Sequence, residues 1–147
     1  SIYPALKAMK PDDLYLEVGV DKGKSLAFAA TVSQGMVCGI DIVNHLNRRW
    51  FKGKNTRFAK LASNDAVRTW KAPIQVLFID GNHTYESVKD DWNNFSPFVV
   101  KGGQVFFHDA DASSPGVVKV TEEIGKGWGK VEYSPNPQCS MAWVRKK

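Results

Sequence analysis

Residues 14–25 constrain the fold most, because an apolar strand runs there into a glycine-spaced turn and then into a helical pattern. The segment reads Leu-Tyr-Leu-Glu-Val-Gly-Val-Asp-Lys-Gly-Lys-Ser. Gly19 ends the strand without a side chain, so a ligand can approach the backbone closely at the bend. A helix that opens near Lys24 presents unpaired N–H groups and the positive end of its dipole to the same place. The segment therefore predicts a loop that binds a nucleotide-like cofactor.

Spacing separates three loop patterns that resemble this segment. The dinucleotide pattern G-x-G-x-x-G requires a second glycine where this chain has Asp21. The phosphate-loop pattern G-x-x-x-x-G-K-[ST] matches residues 23–25, but Gly19 and Gly23 enclose three residues instead of four. A missing residue changes how successive N–H groups wrap a phosphate. The third pattern, acidic-x-Gly-x-x-x-Gly, fits Glu17, Gly19 and Gly23 without a gap.

Composition and cysteine use indicate one globular domain in a reducing compartment. With 147 residues, 43% hydrophobic and 24% charged, the chain is long enough to bury roughly 70% of its unfolded surface. Cys38 and Cys139 are its two cysteines, and their placement suits free thiols better than a disulfide. No run approaches the roughly 20 apolar residues of a membrane span, and no signal-peptide pattern opens the chain. We expect a single domain over residues 1–147, a cytoplasmic location and no membrane partner.

Strand and helix signals alternate along the whole chain. Apolar residues recur at three- and four-residue steps within 85–95 and predict one helix with an apolar face. Ser63 or Asn64 is predicted to cap a helix towards Trp70, and residues 102–103 are predicted to form the turn into the fifth strand. The predicted strands are Leu14–Val18, Met36–Asp41, Thr56–Leu61, Gln75–Asp80, Gln104–Phe107, Lys130–Tyr133 and Met141–Val144. Apolar strands between helices predict an α/β fold with a parallel sheet covered on both faces.

Asp41 ends the second predicted strand, 22 residues after Gly19. This is close to the spacing of about 20 residues at which an acidic side chain meets a ribose. A carboxylate there can accept hydrogen bonds from both ribose hydroxyls, whereas a phosphate-loop enzyme has no need of one. The alternative is an Asp that starts a loop or caps the next helix. The spacing favours the ribose contact.

Six basic residues lie within thirteen positions in the middle of the chain, namely Arg48, Arg49, Lys52, Lys54, Arg57 and Lys60. The general expectation for such a run is a solvated face. The functional alternative is a docking surface for an anionic substrate or a nucleic acid. Nucleic-acid binders usually add aromatic stacking platforms to a basic patch, and only Trp50, Phe51 and Phe58 are interleaved here. The pattern favours an anionic small molecule over RNA.

Two motifs further along the chain carry a specific resemblance. The first is Ile-Asp-Gly-Asn-His-Thr-Tyr at 79–85, before an acidic helix, and the second is Gly-Gly-Gln-Val-Phe-Phe-His-Asp at 102–109. Together with the loop at 14–25, they resemble the class I S-adenosylmethionine-dependent methyltransferases, in the small-molecule O-methyltransferase branch similar to methyltransferase family 24. The resemblance implies a Rossmann-like fold with a seven-stranded, mostly parallel sheet whose last strand is antiparallel. It also implies methyl transfer to a hydroxyl of a sugar or a natural-product-like acceptor.

The same resemblance implies a place for each part of the cofactor. Glu17 and Gly19 approach the methionine part, and Asp41 approaches the ribose. Ser63 or Asn64 meets the edge of the adenine. The further positions predicted to contact S-adenosylmethionine are Gly23, Ser25, Ile42, Asp80 and His83.

Metal-dependent relatives hold a divalent ion through carboxylates that end the fourth and fifth strands. The corresponding residues here are Asp80 and Asp109, and hard oxygen ligands suit Mg²⁺. Ala110 stands where those relatives often have a third oxygen ligand, which leaves Asp111 as a substitute. A bound ion would lower the pKa of an acceptor hydroxyl that is otherwise too weak an acid. The resemblance therefore implies Mg²⁺ or a similar ion on Asp80 and Asp109.

His83 and His108 are the candidate catalytic bases, because histidine suits proton transfer near neutral pH and both are placed at strand ends that face the crevice. We rank His83 first. Asp90 and Asp91 are predicted to be surface or capping groups. Consecutive helical residues point about 100° apart, so the two carboxylates cannot easily share one metal.

Two other classes of function stay open at this point. A phosphate-loop nucleotide hydrolase would explain residues 23–25 together with Asp80, and a catalytically silent cofactor-binding module would keep the loop without turnover. The acceptor is expected to be a small, anionic molecule, and a homo-oligomer is possible. Few residues precede the first strand, so Val43–Asn55 and Ala110–Gly116, a second subunit or a bulky acceptor is expected to cover the site.

Overall fold

A computed structural model describes residues 1–135 and 140–147, so that Cys139 lies outside the described residues. The helices are α1 Tyr3–Lys7, α2 Lys24–Val32, α3 Ser63–Ala66, α4 Tyr85–Phe95 and α5 Pro115–Glu122, with 3-10 turns at Arg48–Phe51, Val67–Thr69 and Ser96–Phe98. The strands are β1 Leu14–Val18, β2 Met36–Asp41, β3 Thr56–Lys60, β4 Ile74–Ile79, β5 Val99–His108, β6 Glu132–Tyr133 and β7 Met141–Arg145.

The strands form one seven-stranded sheet in the order β3-β2-β1-β4-β5-β7-β6. The first five strands are parallel, and β7 runs antiparallel to both of its neighbours. The chain leaves β1 towards one edge and returns to it at β4, which makes the β1–β4 junction the switch point of the sheet. Ligands of open α/β sheets bind beyond the carboxyl ends of the strands at such a point. The predicted fold class and the antiparallel last strand are confirmed.

Helices cover both faces of the sheet, as the apolar strands predict. Successive residues of β4 alternate between two cores, since Leu77 and Ile79 pack with α4 and α5 while Val76 and Phe78 pack with α1 and α2. The apolar face of α4 buries Val88, Trp92 and Phe95 in the first core, as the spacing predicts. The two layers hold the carboxyl ends of β1, β4 and β5 in a fixed register.

The structure corrects three local predictions. β5 begins at Val99, five residues before the predicted start, so residues 102–103 form an irregularity inside the strand and not the turn before it. Gly102 has a φ of +79°, which accounts for the local change in register. The strand predicted over Lys130–Tyr133 is limited to Glu132–Tyr133. Neither Ser63 nor Asn64 caps α3, because the cap position is Ala62 and no side chain bonds the helix end.

No helix within 1–135 or 140–147 has both the length and the apolar character that crossing a bilayer requires. Cys38 is a free, partly buried thiol beside the first core, as predicted.

Candidate active site

Gly19 and Asp80 meet where β1 and β4 end. The N–H of Asp80 donates to the carbonyl of Val18 at 2.8 Å, and the N–H of Gly19 donates to the carbonyl of Ile40 at 2.9 Å. A Cβ atom at Gly19 would lie 2.3 Å from the carbonyl oxygen of Asp80, and the residue has a φ of +86°. Only glycine fits this close approach of two backbones. Gly19 therefore lets the loop after β1 lie directly against the start of the loop after β4.

Asp41 anchors the loop that follows Gly19. Its Oδ2 accepts the N–H groups of Val20 at 2.7 Å and Asp21 at 2.8 Å, and its Oδ1 accepts the N–H of Val43 at 2.9 Å. Burial alone would raise the pKa of Asp41, but the N–H groups of Val43, Asp21 and Val20 outweigh it and lower the pKa below its ordinary value. An ionised carboxylate accepts about four hydrogen bonds. With three of these positions taken by backbone N–H groups, about one acceptor position on Asp41 stays free for a ligand.

These contacts argue against a phosphate loop. A phosphate cradle needs free, successive N–H groups. Here the N–H groups of Val20 and Asp21 donate to Asp41, and that of Gly23 donates to the carbonyl of Val20 at 2.8 Å. The carboxylate of Asp41 thus already accepts hydrogen bonds from two of the N–H groups that a bound phosphate would need.

Glu17 lies beneath the loop with a fully buried side chain. The hydroxyl groups of Tyr15 and Ser25 both donate to its carboxyl group at 2.6 Å. Burial raises the pKa of Glu17 to about 8, although the hydrogen bonds from Ser25 and Tyr15 act in the opposite direction. Glu17 lines neither of the two cavities described below. Its contacts join β1 to α2, so it supports the loop from behind.

A cavity of about 470 Å³ opens beyond the ends of β1, β2 and β3. Five of the positions predicted to contact the cofactor line this cavity, namely Gly19, Asp41, Ile42, Ser63 and Asp80. Asn64 does not line this cavity, and its amide oxygen accepts a hydrogen bond from Asn94 at 2.6 Å.

Asp91 also lines this cavity, which corrects the prediction that it is a surface or capping group. It is 6% exposed and bonded by the side chain of Ser63, whereas Asp90 is exposed as predicted. Burial raises the pKa of Asp91 to about 6, while the hydrogen bond from Ser63 opposes this rise. The spacing of Asp91 from Val88 and Phe95 gives the signal for its burial, because residues three and four apart share a helix face.

Asp80, His83, His108 and Asp109, called here the histidine cluster, meet at the ends of β4 and β5. His108 Nδ1 lies 3.1 Å from Asp80 Oδ1 and 3.2 Å from Asp109 Oδ1. His83 Nδ1 lies 3.6 Å from Asp109 Oδ2, and His83 Nε2 lies 3.7 Å from Asp80 Oδ1. The hydrogen bond to Asp80 is the main cause of a raised pKa of His108, against the opposing effect of burial. The two predicted bases and the two predicted metal ligands are thus in one group.

Backbone geometry positions His83 and Asp109 in this group. Thr84 caps α4 through its side chain, which sets His83 immediately before the helix. A Cβ atom at Gly116 of α5 would lie 2.5 Å from the carbonyl oxygen of His83, so α5 presses closely against this loop. Asp109 has a φ of +50°, and the hydroxyl of Ser140 donates to its Oδ1 at 3.3 Å. The turn at Asp109 brings its carboxylate back towards both imidazoles.

The donor set fits a divalent metal ion. Asp80, His83 and His108 each offer a ligand atom, and these atoms lie within 4.8 Å of one another among the described residues. Within the described part of the chain, His83 Nε2 is buried and has no hydrogen-bond partner. Neither Asp109, the second predicted metal ligand, nor Asp111 joins this three-residue group. The carboxylate of Asp111 accepts the hydroxyl and the N–H of Ser113 at 2.6 Å and 2.8 Å. The hydroxyl of Ser113 is the main cause that lowers the pKa of Asp111 to about 2.

A family model of methyltransferase domains matches residues 16–110. This range includes Gly19, Asp41 and Asp80 at the larger cavity, together with the whole histidine cluster. The chain belongs to the methyltransferase domain family. Uncharacterized protein R132 of Acanthamoeba polyphaga mimivirus is 30% identical to this methyltransferase domain over an alignment of 148 residues, and the alignment covers 86% of the chain. The chain spans 65% of the length of that curated relative. The predicted methyltransferase family is confirmed, and the family match does not support a phosphate-loop hydrolase.

Solved structures share the fold of the methyltransferase domain at low sequence identity. An rRNA methylase from Streptococcus thermophilus has a TM-score of 0.78 at 12% identity, over 98% of this chain and 93% of that one. An O-methyltransferase from Bacillus cereus, in complex with S-adenosylhomocysteine, has a TM-score of 0.74 at 14% identity, over 99% and 77%. TomG of Streptomyces achromogenes, an O-methyltransferase in complex with S-adenosylmethionine, has a TM-score of 0.76 at 12% identity, over 99% and 76%.

The methyltransferase domain has a second, smaller cavity of about 190 Å³ on the α1–α2 side of the sheet. Its walls include Phe28, Phe78 and Met141, and it reaches Ser25 as well as His108. Asp80 lines both this cavity and the larger one. The carboxylate of Asp80 therefore stands between a nucleoside-sized space and an apolar cleft.

Gly23 and His83 are predicted cofactor positions that line neither of these two cavities. Gly23 lies at the start of α2 instead. It has a φ of +83°, and a Cβ atom there would lie 2.6 Å from Leu46 Cδ2 and 2.9 Å from Phe51 Cζ. The close contact seats the basic segment, residues 43–55, against the loop of the methyltransferase domain. Val43 of this segment lines the cavity of about 470 Å³. The segment also forms a separate groove of about 540 Å³, which Arg48, Arg49 and Lys52 help to line.

Proposed function

We propose that this domain transfers the methyl group of S-adenosylmethionine to a hydroxyl oxygen of a small, anionic acceptor, with a divalent metal ion at the histidine cluster. The observation that carries the proposal is the position of Asp80, which borders the larger cavity and also contacts both histidines. A cofactor in the larger cavity and an acceptor at the histidine cluster would meet at this residue. Residues 1–147 form one methyltransferase domain in this proposal.

The cofactor is proposed to lie with its ribose at Asp41, its base towards Ser63 and its methionine end along Gly19 and Ser25. One free acceptor position on Asp41 suits a single ribose hydroxyl. The exposed Ile42 at the cavity wall gives the base an apolar surface. This arrangement directs the sulfonium towards Asp80.

Methyl transfer breaks the C–S bond of the sulfonium as the new C–O bond forms, and it leaves S-adenosylhomocysteine. The cofactor supplies its own leaving group, so the domain has to orient the acceptor and take up the hydroxyl proton. His83 is proposed as the proton acceptor, since its Nε2 has no hydrogen-bond partner within the described residues. His108 contacts Asp80 and Asp109 and holds both carboxylates in place.

Asp80 and Asp109 are the proposed metal ligands, as the family resemblance implies, and His108, which lies 3.1 Å from Asp80 and 3.2 Å from Asp109, is the proposed imidazole donor beside them. His83 Nε2 stays free of the ion in this proposal. The ion would act as a Lewis acid that lowers the pKa of the acceptor hydroxyl. Oxygen ligands suit Mg²⁺ or Mn²⁺, whereas a set with imidazoles also accepts Zn²⁺ or Fe²⁺. The metal that restores function reports which donors are used.

The experiment measures transfer of labelled methyl from S-adenosylmethionine to a panel of hydroxyl acceptors that differ only in the presence of phosphate or carboxylate. We expect transfer to the anionic members, loss of transfer after treatment with a chelator, and recovery when Mg²⁺ or Mn²⁺ is added. Full activity of the chelated protein would contradict the metal proposal. Transfer to nitrogen acceptors alone would contradict O-methylation.

An RNA acceptor is the second candidate. Trp50 in the basic segment is 39% exposed and stands beside Arg48 and Arg49, where it could stack on a base. The rRNA methylase among the similar structures is named for such a substrate. RNA binding that weakens steeply with salt concentration, and that charge reversal at Arg48 and Arg49 abolishes, would favour this candidate over the small molecule.

A further inference from the structure

Strand β3 lies at one edge of the sheet, and among the described residues no strand pairs with its outer side. The carbonyl oxygen of Asn55 and the N–H group of Leu61 both form hydrogen bonds with the β2 side, at 3.0 Å and 2.9 Å. In a parallel ladder, alternate residues turn both of their backbone groups to the same neighbouring strand. The backbone groups of Phe58 and Lys60 therefore point outwards, away from the sheet.

A hollow lies against β3 on each face of the sheet. Thr56 and Phe58 line the groove of about 540 Å³ described above. Arg57 and Ala59, whose side chains alternate with those of Thr56 and Phe58, line a separate cavity of about 420 Å³. Both hollows are mainly apolar, and neither is lined by a residue proposed to contact the cofactor or the metal ion.

Short helices leave these two hollows open. The chain between β2 and β3 contains only the 3-10 turn Arg48–Phe51, and α3, which follows β3, has 4 residues. By contrast, α2 and α4, which cover the centre of the sheet, have 9 and 11 residues. Side chains of a strand point alternately to the two faces of a sheet. A strand added beside β3 would therefore place successive side chains in the groove and in the cavity by turns.

The edge at β3 carries positive charges that lack partners. Arg48, Arg49 and Lys52 line the groove, Arg57 lines the cavity, and Lys60 is exposed at the end of β3. None of these residues forms an ion pair within the part of the chain that the structure describes. A second copy of this chain, paired through its own β3, would bring like charges opposite one another, which is destabilising. Charge complementarity favours an acidic partner instead.

We propose that β3 is a docking edge for an extended, acidic segment of a partner protein, which adds to the sheet as a further strand. Phe58 and Lys60 bond the backbone of this segment, its apolar side chains enter the groove and the cavity by turns, and its carboxylates pair with the basic residues of the edge. In this mode of recognition, main-chain hydrogen bonds supply affinity and the side-chain pockets supply specificity. The inference does not depend on the proposed function, since neither hollow contains a residue assigned to the cofactor or the metal ion.

The test uses a fluorescent peptide with a core of alternating valine and leucine residues and two glutamates at each end. Fluorescence anisotropy measures its binding to the whole chain. Two further peptides carry N-methyl groups, each on one alternate set of the core amides. An added strand turns only one of these sets to β3, so we expect one methylated peptide to bind about tenfold more weakly and the other to bind like the parent. A peptide with lysines in place of the glutamates should also bind about tenfold more weakly.

Two variants of Lys60 separate the backbone contact from the charge. Lys60→Pro removes the charge and the outward N–H group but keeps the N–H groups that bond β2, whereas the matched control Lys60→Thr removes the charge alone. We expect Lys60→Pro to bind the acidic peptide about tenfold more weakly than Lys60→Thr. Melting temperatures of both variants show whether they fold. The methylated peptides test the same backbone contact on the unaltered protein if the proline variant does not fold.

Three results would overturn the proposal. Equal weakening of both methylated peptides would mean that the peptide occupies a hollow through its side chains alone. No binding of the acidic peptide, with or without binding of a single-stranded RNA, would leave Arg57 and Lys60 as charges that keep the edge from pairing with other chains. Dimers of the unaltered protein that form with rising concentration, and that Lys60→Pro abolishes in sedimentation experiments, would assign the edge to a second copy of this chain.

Discussion

The two ends of the candidate site are built in different ways. At the nucleoside end, formed by Asp41, Ser63 and Asp91, carboxylates bond backbone N–H groups or a hydroxyl at fixed geometry. At the histidine cluster, carboxylates and imidazoles face one another at 3.1–3.7 Å, and His83 Nε2 is left without a hydrogen-bond partner within the described residues. Rigid, satisfied groups suit the binding of a constant cofactor. Groups that can exchange protons or take a metal suit chemistry.

The comparison makes its strongest prediction for His83. His83→Ala should lower kcat about 10²–10⁴-fold, the usual contribution of a general base, while the affinity for S-adenosylhomocysteine changes by less than about threefold. The matched control is His45→Ala, which removes an exposed histidine that the structure pairs with Asp21 outside the cluster. Steady-state kinetics and calorimetry on both variants check this separation. Equal losses of kcat and of cofactor affinity in His83→Ala would mean that the two ends are not distinct.

The basic segment provides the next test, because it adjoins the loop but not the cofactor's polar contacts. Charge reversal of Arg48 and Arg49 to Glu should raise KM for an anionic acceptor about five- to thirtyfold, since each exposed ion pair is worth up to about 1 kcal/mol. The affinity for the cofactor should stay the same. Reversal of Lys126 and Lys130, which are exposed near the opposite edge of the sheet, is the control. Unchanged acceptor kinetics in the Arg48 and Arg49 double variant would show that this segment is a solvated face that does not bind the acceptor.

The buried Glu17 beneath the loop gives a further prediction, which concerns the dependence of stability on pH. Because burial raises its pKa from the ordinary 4.5 to about 8, the folded state holds the proton more tightly than the unfolded state. The free energy of unfolding should therefore fall as the pH rises from about 4.5 to 8 and level off above that. Glu17→Gln cannot titrate at this position. The free energy of unfolding of the variant minus that of the unaltered protein should therefore rise by about 2 kcal/mol between about pH 6.5 and 8. Urea unfolding at several pH values measures this difference, with the exposed Glu86→Gln as control. If Glu17→Gln and the unaltered protein show the same dependence of stability on pH, Glu17 is ionised in the folded protein and the prediction is wrong.

Sequence patterns predict the fold and the histidine cluster well, for identifiable reasons. Asp80 directly follows β4, His83 lies three residues further on, and His108 and Asp109 end and follow β5. Parallel strands bring their carboxyl ends to one edge of the sheet. The backbone contacts of Asp41 could not be foreseen, because they depend on the path of the loop after Gly19 and not on residue type. The predicted surface position of Asp91 is wrong, because its spacing of three and four residues from Val88 and Phe95 places it on the buried face of α4.

The central claim is that S-adenosylmethionine binds at the nucleoside end through Asp41. Calorimetric titration of S-adenosylhomocysteine into the unaltered protein and into Asp41→Ala tests it most directly, with the exposed Asp65→Ala of α3 as control. We predict binding by the unaltered protein and by the control, and a loss of about 1–3 kcal/mol in Asp41→Ala, because the variant loses the charge-assisted hydrogen bonds that hold the loop and the ribose. Absence of binding by the unaltered protein, or the same affinity in Asp41→Ala, would contradict the claim.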